Sequence, residues 1–303
     1  MNTIIFALLF LFAILLAIYF AFRWHRKYAK KIKYKPTTET SYLTVDDFKI
    51  RYSISGQGPK LVLIHGIGAN LNTWDSIIPY LDDSFTILRF DLPGFGESSK
   101  LISASYNLDH QCERILKILE ALDFTPCYLC GSSMGGAIAL WLGKLHPELF
   151  KKIITLAPAT NKSLLPLNPN RLLISSRLTS LAINEQTMRL ILNRVVHNTD
   201  LINPLYIEKY LRHFKNQPAS IKTFIGATEV IADKRLPKQL ANLETPVSIY
   251  WGQHDKMVPF KYMDELSNIL PNSSLTVDST AGHHSMEDNP KGLSSHIKVF
   301  LLS

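Results

Sequence analysis

Cysteine is scarce in this chain: Cys112, Cys127 and Cys130 are the three thiols in 303 residues. Three in a chain this long make no disulfide framework. Cys127-x-x-Cys130 has the spacing of a redox pair. On a strand, however, side chains alternate, so a separation of three sends the two sulfurs to opposite faces. All three are expected to be small buried apolar residues. Internal repeats and low-complexity tracts are also missing. The hydrophobic content, 46%, is that of a globular protein and sets disorder aside. Charge is absent from Ile4 to Phe22, and acid is absent from residues 23–35, which hold seven Lys and Arg.

The uncharged run is nineteen residues long. As a helix it would span roughly 28 Å, about the thickness of a bilayer core. A cleaved signal peptide needs a basic stretch before the run, a shorter run and a small-x-small cleavage site. Met1-Asn-Thr3 carries no charged side chain, and Ile18-Tyr-Phe-Ala-Phe22 is bulky. The expectation is an uncleaved transmembrane anchor over 1–22 and a basic juxtamembrane linker over 23–40. Arg23, Arg26, Lys27, Lys30, Lys31, Lys33 and Lys35 then place residues 41–303 on the cytoplasmic side of a single-pass membrane protein. The formal net charge of +8 would suit a nucleic acid, but no recognised motif accompanies it. The basic charge sits in the linker and in residues 160–246, which hold a net +6. That position fits anionic lipid headgroups better.

The remainder alternates apolar strands with helical patterns. Strands are expected at Lys60–Ile64, Phe85–Phe90, Pro126–Cys130, Lys152–Ala157, Val247–Trp251 and Ser274–Asp278. An Asp46-Asp47 turn is expected between two short β segments. Thr73–Leu81 is helical in pattern. Leu108, Cys112, Ile115, Leu116, Leu119 and Leu122 form one apolar helix face. The alternation predicts βαβ units and a mostly parallel sheet with helices on both faces. Almost ninety residues separate the strand ending near Ala157 from the one at Val247, too many for a bare loop. With helical stretches such as Gln186–Val196 and Leu205–Phe214, residues 160–240 are expected to form a helical lid. It would divide a core into 41–159 and 241–303.

Gly131-Ser132-Ser133-Met134-Gly135 closes one apolar strand and opens a helical run. A serine at the tip of so sharp a turn crowds the positions two before and two after it, and only very small residues fit there. Ser133 is the candidate nucleophile, with the Met134 backbone N–H beside it to bind an oxyanion. A serine hydroxyl needs a base in hydrogen-bond reach, and the base needs a buried carboxylate to orient it. Asp255, in Trp251-Gly-Gln-His-Asp-Lys-Met-Val-Pro259, follows a strand and is the candidate acid. The strand ending at Ala157-Pro-Ala159 offers no rival carboxylate. The loop after the last strand, Ala281-Gly-His-His-Ser-Met-Glu-Asp-Asn-Pro290, offers two imidazoles, His283 and His284. One is expected to act as base, the other to support it or to be solvated. His65 is expected to brace the turn His65-Gly-Ile-Gly68, whose Ile67 backbone N–H is the second oxyanion donor. His254 beside the acid is expected to be solvated.

His65-Gly, Asp91-x-x-Gly-x-Gly-x-Ser98, Gly131-x-Ser-x-Gly135, Trp251-Gly-x-x-Asp255 and Gly282-His283 together resemble the α/β-hydrolase superfamily, in its order, over roughly 41–303. The resemblance implies the α/β-hydrolase fold, a Ser133–Asp255–His283 triad with the base directly after the glycine, and no cofactor or metal. It implies an acyl-enzyme on Ser133. A haloalkane dehalogenase or epoxide hydrolase of the family would carry Asp at the elbow, and this chain does not. A C–C bond hydrolase of the meta-cleavage type also carries Ser, but usually has Trp where this chain has His284, and a proline-containing glycine turn missing here. With its anchor, basic stalk and Leu/Ile-rich lid, the chain resembles the membrane-anchored monoacylglycerol-lipase branch. The expected activity is hydrolysis of carboxylic esters, lipid esters such as monoacylglycerols among them. Thioesterase, peptidase, C–C hydrolase and non-catalytic binding protein are the alternatives.

Overall fold

The computed structural model describes residues 39–165 and 176–303. The expected anchor over 1–22 and nearly all of the linker over 23–40 lie outside the described residues, as does part of the expected lid. Among the described residues no helix is long and apolar enough to cross a membrane.

Strands β1 (Ser41–Val45) and β2 (Phe48–Gly56) form an antiparallel hairpin about Asp46 and Asp47. Then come β3 (Lys60–Ile64), β4 (Thr86–Phe90), β5 (Cys127–Ser132), β6 (Phe150–Leu156), β7 (Val247–Gly252) and β8 (Ser273–Asp278). The eight form one sheet in the order β1-β2-β4-β3-β5-β6-β7-β8. Pairing is antiparallel up to β4 and parallel from β4 to β8. The central strands are largely apolar because both faces are covered. Val62, Ile64, Leu88 and Leu129 face one core, and Leu61, Leu63, Ile87 and Cys130 face the other. Cys127 and Cys130 fall on opposite sides for the same reason. All three thiols are free and buried, and burial pushes the Cys127 thiol up to about 12.

The longer helices are α1 (Leu108–Ala121), α2 (Met134–Leu145), α3 (Ser176–Ala182), α4 (Glu185–Val195), α5 (Pro204–Leu211), α6 (Pro218–Ala232), α7 (Lys261–Ile269) and α8 (Pro290–Leu302). α1 starts at Asn107, whose side chain accepts from the His110 amide, and turns Cys112, Ile115 and Leu119 onto the first core. α8 covers the second with Leu293, Ile297 and Leu301. α3 to α6 fill the connection between β6 and β7. α4 is held at its start by reciprocal hydrogen bonds between Asn184 and Thr187.

Two expectations fail locally. Thr73–Leu81 is not one helix but a 3₁₀ turn, Leu71–Trp74, and a single helical turn, Ile78–Leu81. Pro79 has no amide hydrogen to give the carbonyl four residues back. α5 ends at Leu211, and Arg212–Phe214 continues as a turn rather than helix.

Candidate active site

Ser133 holds φ 55 and ψ −119, left-handed backbone that a non-glycine residue adopts at a cost of about 1–3 kcal/mol. The surroundings hold it there. Its amide donates to the Leu156 carbonyl at 2.8 Å, and its carbonyl accepts from Ala137 at 3.1 Å and Ala159 at 3.0 Å. A Cβ on Gly131 would overlap the Gly135 carbonyl, and one on Gly135 would overlap that of Ile64. The elbow therefore needs glycine at both places. Ser133 leads into α2, so the Met134 amide stands at a helix N-terminus with no intrahelical acceptor and beside the positive end of the dipole.

The turn after β3 lies against the nucleophile. A Cβ on Gly66 would sit 3.0 Å from the Ser133 Cβ and 3.7 Å from its Oγ. Among the described residues the Ile67 amide donates to nothing. His65 is fully buried. Its Nε2 accepts from the Leu92 amide at 2.9 Å, and its Nδ1 meets the Gly66 carbonyl at 2.8 Å. Those partners fix the neutral tautomer with the proton on Nδ1, and burial holds this imidazole below its ordinary value. His65 thus braces the oxyanion turn. Asp91 ties the loop after β4 to the 3₁₀ turn at Leu71. Its carboxylate accepts from the Leu71 and Glu97 amides, each at 2.7 Å, and lies 3.4 Å from Arg51.

Asp255 and His283 are brought together. The Asp255 carboxyl is 1% exposed, and its Oδ2 lies 2.7 Å from His283 Nδ1. Its Oδ1 accepts from the Met257 amide at 2.7 Å and the Val258 amide at 2.8 Å. A carboxylate only accepts, so Nδ1 carries the proton and Nε2 keeps its lone pair. The loops are sewn together: the His254 amide donates to the Ala281 carbonyl at 2.9 Å. Ser133, Asp255 and His283 follow β5, β7 and β8, so all three stand at the carboxyl edge of the parallel sheet. Among the described residues the Ser133 hydroxyl makes no hydrogen bond. Contacts of this kind commonly tighten when substrate binds.

The two neighbouring imidazoles divide as their surroundings dictate. His284 turns away from Asp255 and puts Nδ1 2.7 Å from Glu287 Oε2. It is buried and supports the loop. His254 is half-buried rather than solvated. It stacks on His197 with centroids 3.8 Å apart. Sequence reasoning missed Tyr206, Lys209, Tyr210, Glu287 and Asp288, which pin the histidine loop to the insertion. The two acids just after His283 were visible, but nothing marked their partners roughly eighty positions away. Among the described residues no group of three His, Cys, Asp or Glu is placed to hold a metal.

A strained serine elbow, a turn facing it and an aspartate-bound histidine stand on one sheet edge, the arrangement that serine-type α/β hydrolases use. The chain matches the family model of the α/β hydrolase fold over residues 59–290 and belongs to that family. A second model, the epiregulin C-terminal domain, matches residues 3–46, mainly the uncharged run and the basic stretch, and assigns nothing to the core. The chain is similar to the uncharacterized hydrolase YugF of Bacillus subtilis (strain 168), 30% identical over 271 residues, 85% of this chain and 96% of that protein. It is similar to 2-hydroxy-6-oxo-6-phenylhexa-2,4-dienoate hydrolase of Burkholderia cepacia, 22% identical over 262 residues, 82% of this chain and 91% of that protein. In fold it is similar to the crystal structure of a membrane phospholipase A described as a bacterial virulence factor. The TM-score is 0.72 at 23% identity, over 99% of this chain and 98% of that one.

Proposed function

We propose that this protein is a membrane-anchored serine esterase or lipase that cleaves carboxylic esters, lipid esters such as monoacylglycerols among them. The observation that carries the reading is the buried Asp255–His283 pair, 2.7 Å apart, on the same sheet edge as the strained Ser133. His283 Nε2 takes the Ser133 proton as Oγ attacks the ester carbonyl. The Ile67 and Met134 amides hold the oxyanion. Collapse expels the alcohol with the proton from His283, and water, deprotonated by the same nitrogen, frees the acid.

Lipid as the substrate class draws support from the helices between β6 and β7, within the expected lid over 160–240. Their solvent side carries exposed Leu178, Leu181, Leu190, Ile191 and Leu205, from 46% (Ile191) to 68% (Leu190). Arg177, Arg189 and Arg194 stand among them. Exposed apolar side chains with cations on the same helices suit an anionic bilayer surface. The uncharged run at 4–22 and the basic stretch after it fit a single-pass anchor with the catalytic domain on the cytoplasmic side. The membrane phospholipase A similar to this chain over nearly its full length supports that setting. A C–C bond hydrolase is the second reading, carried by the Burkholderia relative.

A fluorophosphonate probe, p-nitrophenyl esters and monoacylglycerols, with Ser133→Ala as control, test the reading. Wild-type protein should label at Ser133 and turn over esters, and the variant should lose about 10⁶-fold in kcat. Equal turnover by Ser133→Ala would end the assignment. Cleavage of a dienoate C–C bond in preference to any ester would establish the second reading.

A further inference from the structure

The insertion helix α5 reaches into the catalytic core. Its side chains form a buried polar cluster that the proposed chemistry does not use. The Glu287 carboxylate, 1% exposed, accepts four donors. Three meet its Oε2: the Tyr206 hydroxyl at 2.6 Å, the Tyr210 hydroxyl at 2.8 Å and His284 Nδ1 at 2.7 Å. The fourth, Lys209 Nζ, is paired with Oε1 and is 7% exposed. The Lys209 ammonium also lies 5.0 Å from the Tyr206 ring centroid and 5.2 Å from that of Tyr210. Three of the four donors come from α5. The fourth is the residue after the base, with its ring 5.7 Å from that of His283.

α5 is fastened to the oxyanion side as well. Asn70 Nδ2 donates to the Lys209 carbonyl at 3.2 Å, and the Thr73 hydroxyl lies 3.4 Å from that of Tyr210. The end of α4 and the loop after it complete the grip. The His284 amide donates to the Val195 carbonyl at 3.1 Å, and the His197 and Asn198 amides donate to the Asp288 carboxylate, both at 2.9 Å. That carboxylate also takes the Gly282 amide at 2.8 Å.

We propose that α5 is a fixed support of the catalytic machinery rather than a moving part of a lid, with Lys209 acting through Glu287 and His284 as a positioning residue for the His283 loop. The inference rests on the serine-hydrolase reading above. Burial would push the Glu287 carboxyl up, but Lys209 and the His284 hydrogen bond outweigh it and hold it at about 2. It is therefore ionised throughout the working range. A carboxylate binds its donors roughly twice as strongly as a neutral acid does. Burial first and Glu287 second push both tyrosines well above their ordinary value, so both remain donors. The other ionisable groups on the elements packed about the base are Asp255 and His254 from the β7 loop, His65 from the β3 turn, His197 from the loop after α4, and Asp288.

The test is steady-state kinetics across pH on the full chain, with the rate of fluorophosphonate labelling at Ser133. In Lys209→Met the carboxyl loses its cation, burial raises its pKa, and its donors face a neutral acid over a larger part of the pH range. The expected result is kcat about tenfold lower at neutral pH and KM within about twofold, with the deficit shrinking as pH rises and the carboxylate re-forms. Lys209→Met/Glu287→Gln has no buried charge and no titrating group there. It should fold, and should show the same loss at every pH. Wild-type kcat in either variant, or a loss in Lys209→Met that does not change with pH, would overturn the proposal. Should Lys209→Met fail to fold, the double variant decides alone: low kcat at unchanged KM supports the proposal, and wild-type kcat overturns it. Absence of labelling in the wild-type protein would instead bring down the hydrolase reading, and this inference with it.

Discussion

Replacing Asp255 with asparagine probes the site at its most constrained atom. The substitution keeps volume and shape and removes one oxygen. Oδ1 accepts from two amides, Met257 and Val258, at 2.7 and 2.8 Å. An asparagine must keep its oxygen there, because turning the amide round would set its NH₂ against two N–H groups. Losing the two hydrogen bonds costs about 0.5–1.5 kcal/mol each, so the flipped rotamer lies roughly 1–3 kcal/mol higher. Nδ2 therefore points at His283 Nδ1, and a donor now meets a donor. The imidazole escapes by moving its proton to Nε2, the nitrogen meant to receive the Ser133 proton. The expected loss in kcat is about 10⁴-fold, or roughly 5.4 kcal/mol at 1.36 kcal/mol per tenfold. KM should stay within about threefold, since Asp255 does not touch the ester. Stopped-flow acylation with a p-nitrophenyl ester measures it, and thermal melting confirms the fold. A folded Asp255→Asn that retains more than about a tenth of wild-type kcat would refute the tautomer argument and the role given to His283.

Acid should weaken the fold in two stages. Burial above all pushes His65, His213 and His296 below their ordinary 6.5. The unfolded chain therefore binds more protons there, and stability falls as pH drops below about 6.5. Glu287, held at about 2 against an ordinary 4.5, contributes stability that is lost only as pH falls from about 4.5 toward 2. Melting temperature against pH reads both stages; a flat curve from pH 7 to 5 would contradict the first. On the lid face, Leu190→Asp/Ile191→Asp replaces two exposed side chains and should leave hydrolysis of a dispersed short-chain ester within about twofold, as surface changes are near-neutral. Turnover of monoacylglycerol in anionic vesicles should fall about tenfold, and equal loss on both substrates would count against the bilayer-facing role.

The fold was legible where periodicity and chemistry agree. Short, mostly apolar runs such as Lys60–Ile64 and Val247–Trp251 have few alternatives to buried parallel strands once helical patterns separate them. Thr73–Leu81 misled because its apolar spacing is helical while Pro79 withholds the hydrogen bond that spacing needs. The elbow was legible for a different reason. Gly131 and Gly135 each face a backbone carbonyl that leaves no room for a Cβ, so the steric demand is written into the residues themselves.

The supporting cluster left no comparable trace. Lysine and tyrosines on an amphipathic helix read as surface, and a glutamate four residues after a histidine reads as a helical turn. Lys209 and Glu287 are 78 positions apart, and only the route of the chain from β6 to β7 sets one against the other. Once there, they are not free to part. Moving α5 away would break the ion pair and both tyrosine hydrogen bonds to the same carboxylate at once, a larger cost than moving a helix that makes none of these bonds. Any opening of the insertion that admits substrate must therefore hinge elsewhere than α5. α3, with Leu178 and Leu181 exposed, makes none of these bonds. The proposals together assign alignment of the base to α5 and leave lipid contact to exposed side chains such as Leu178, Leu181 and Leu190.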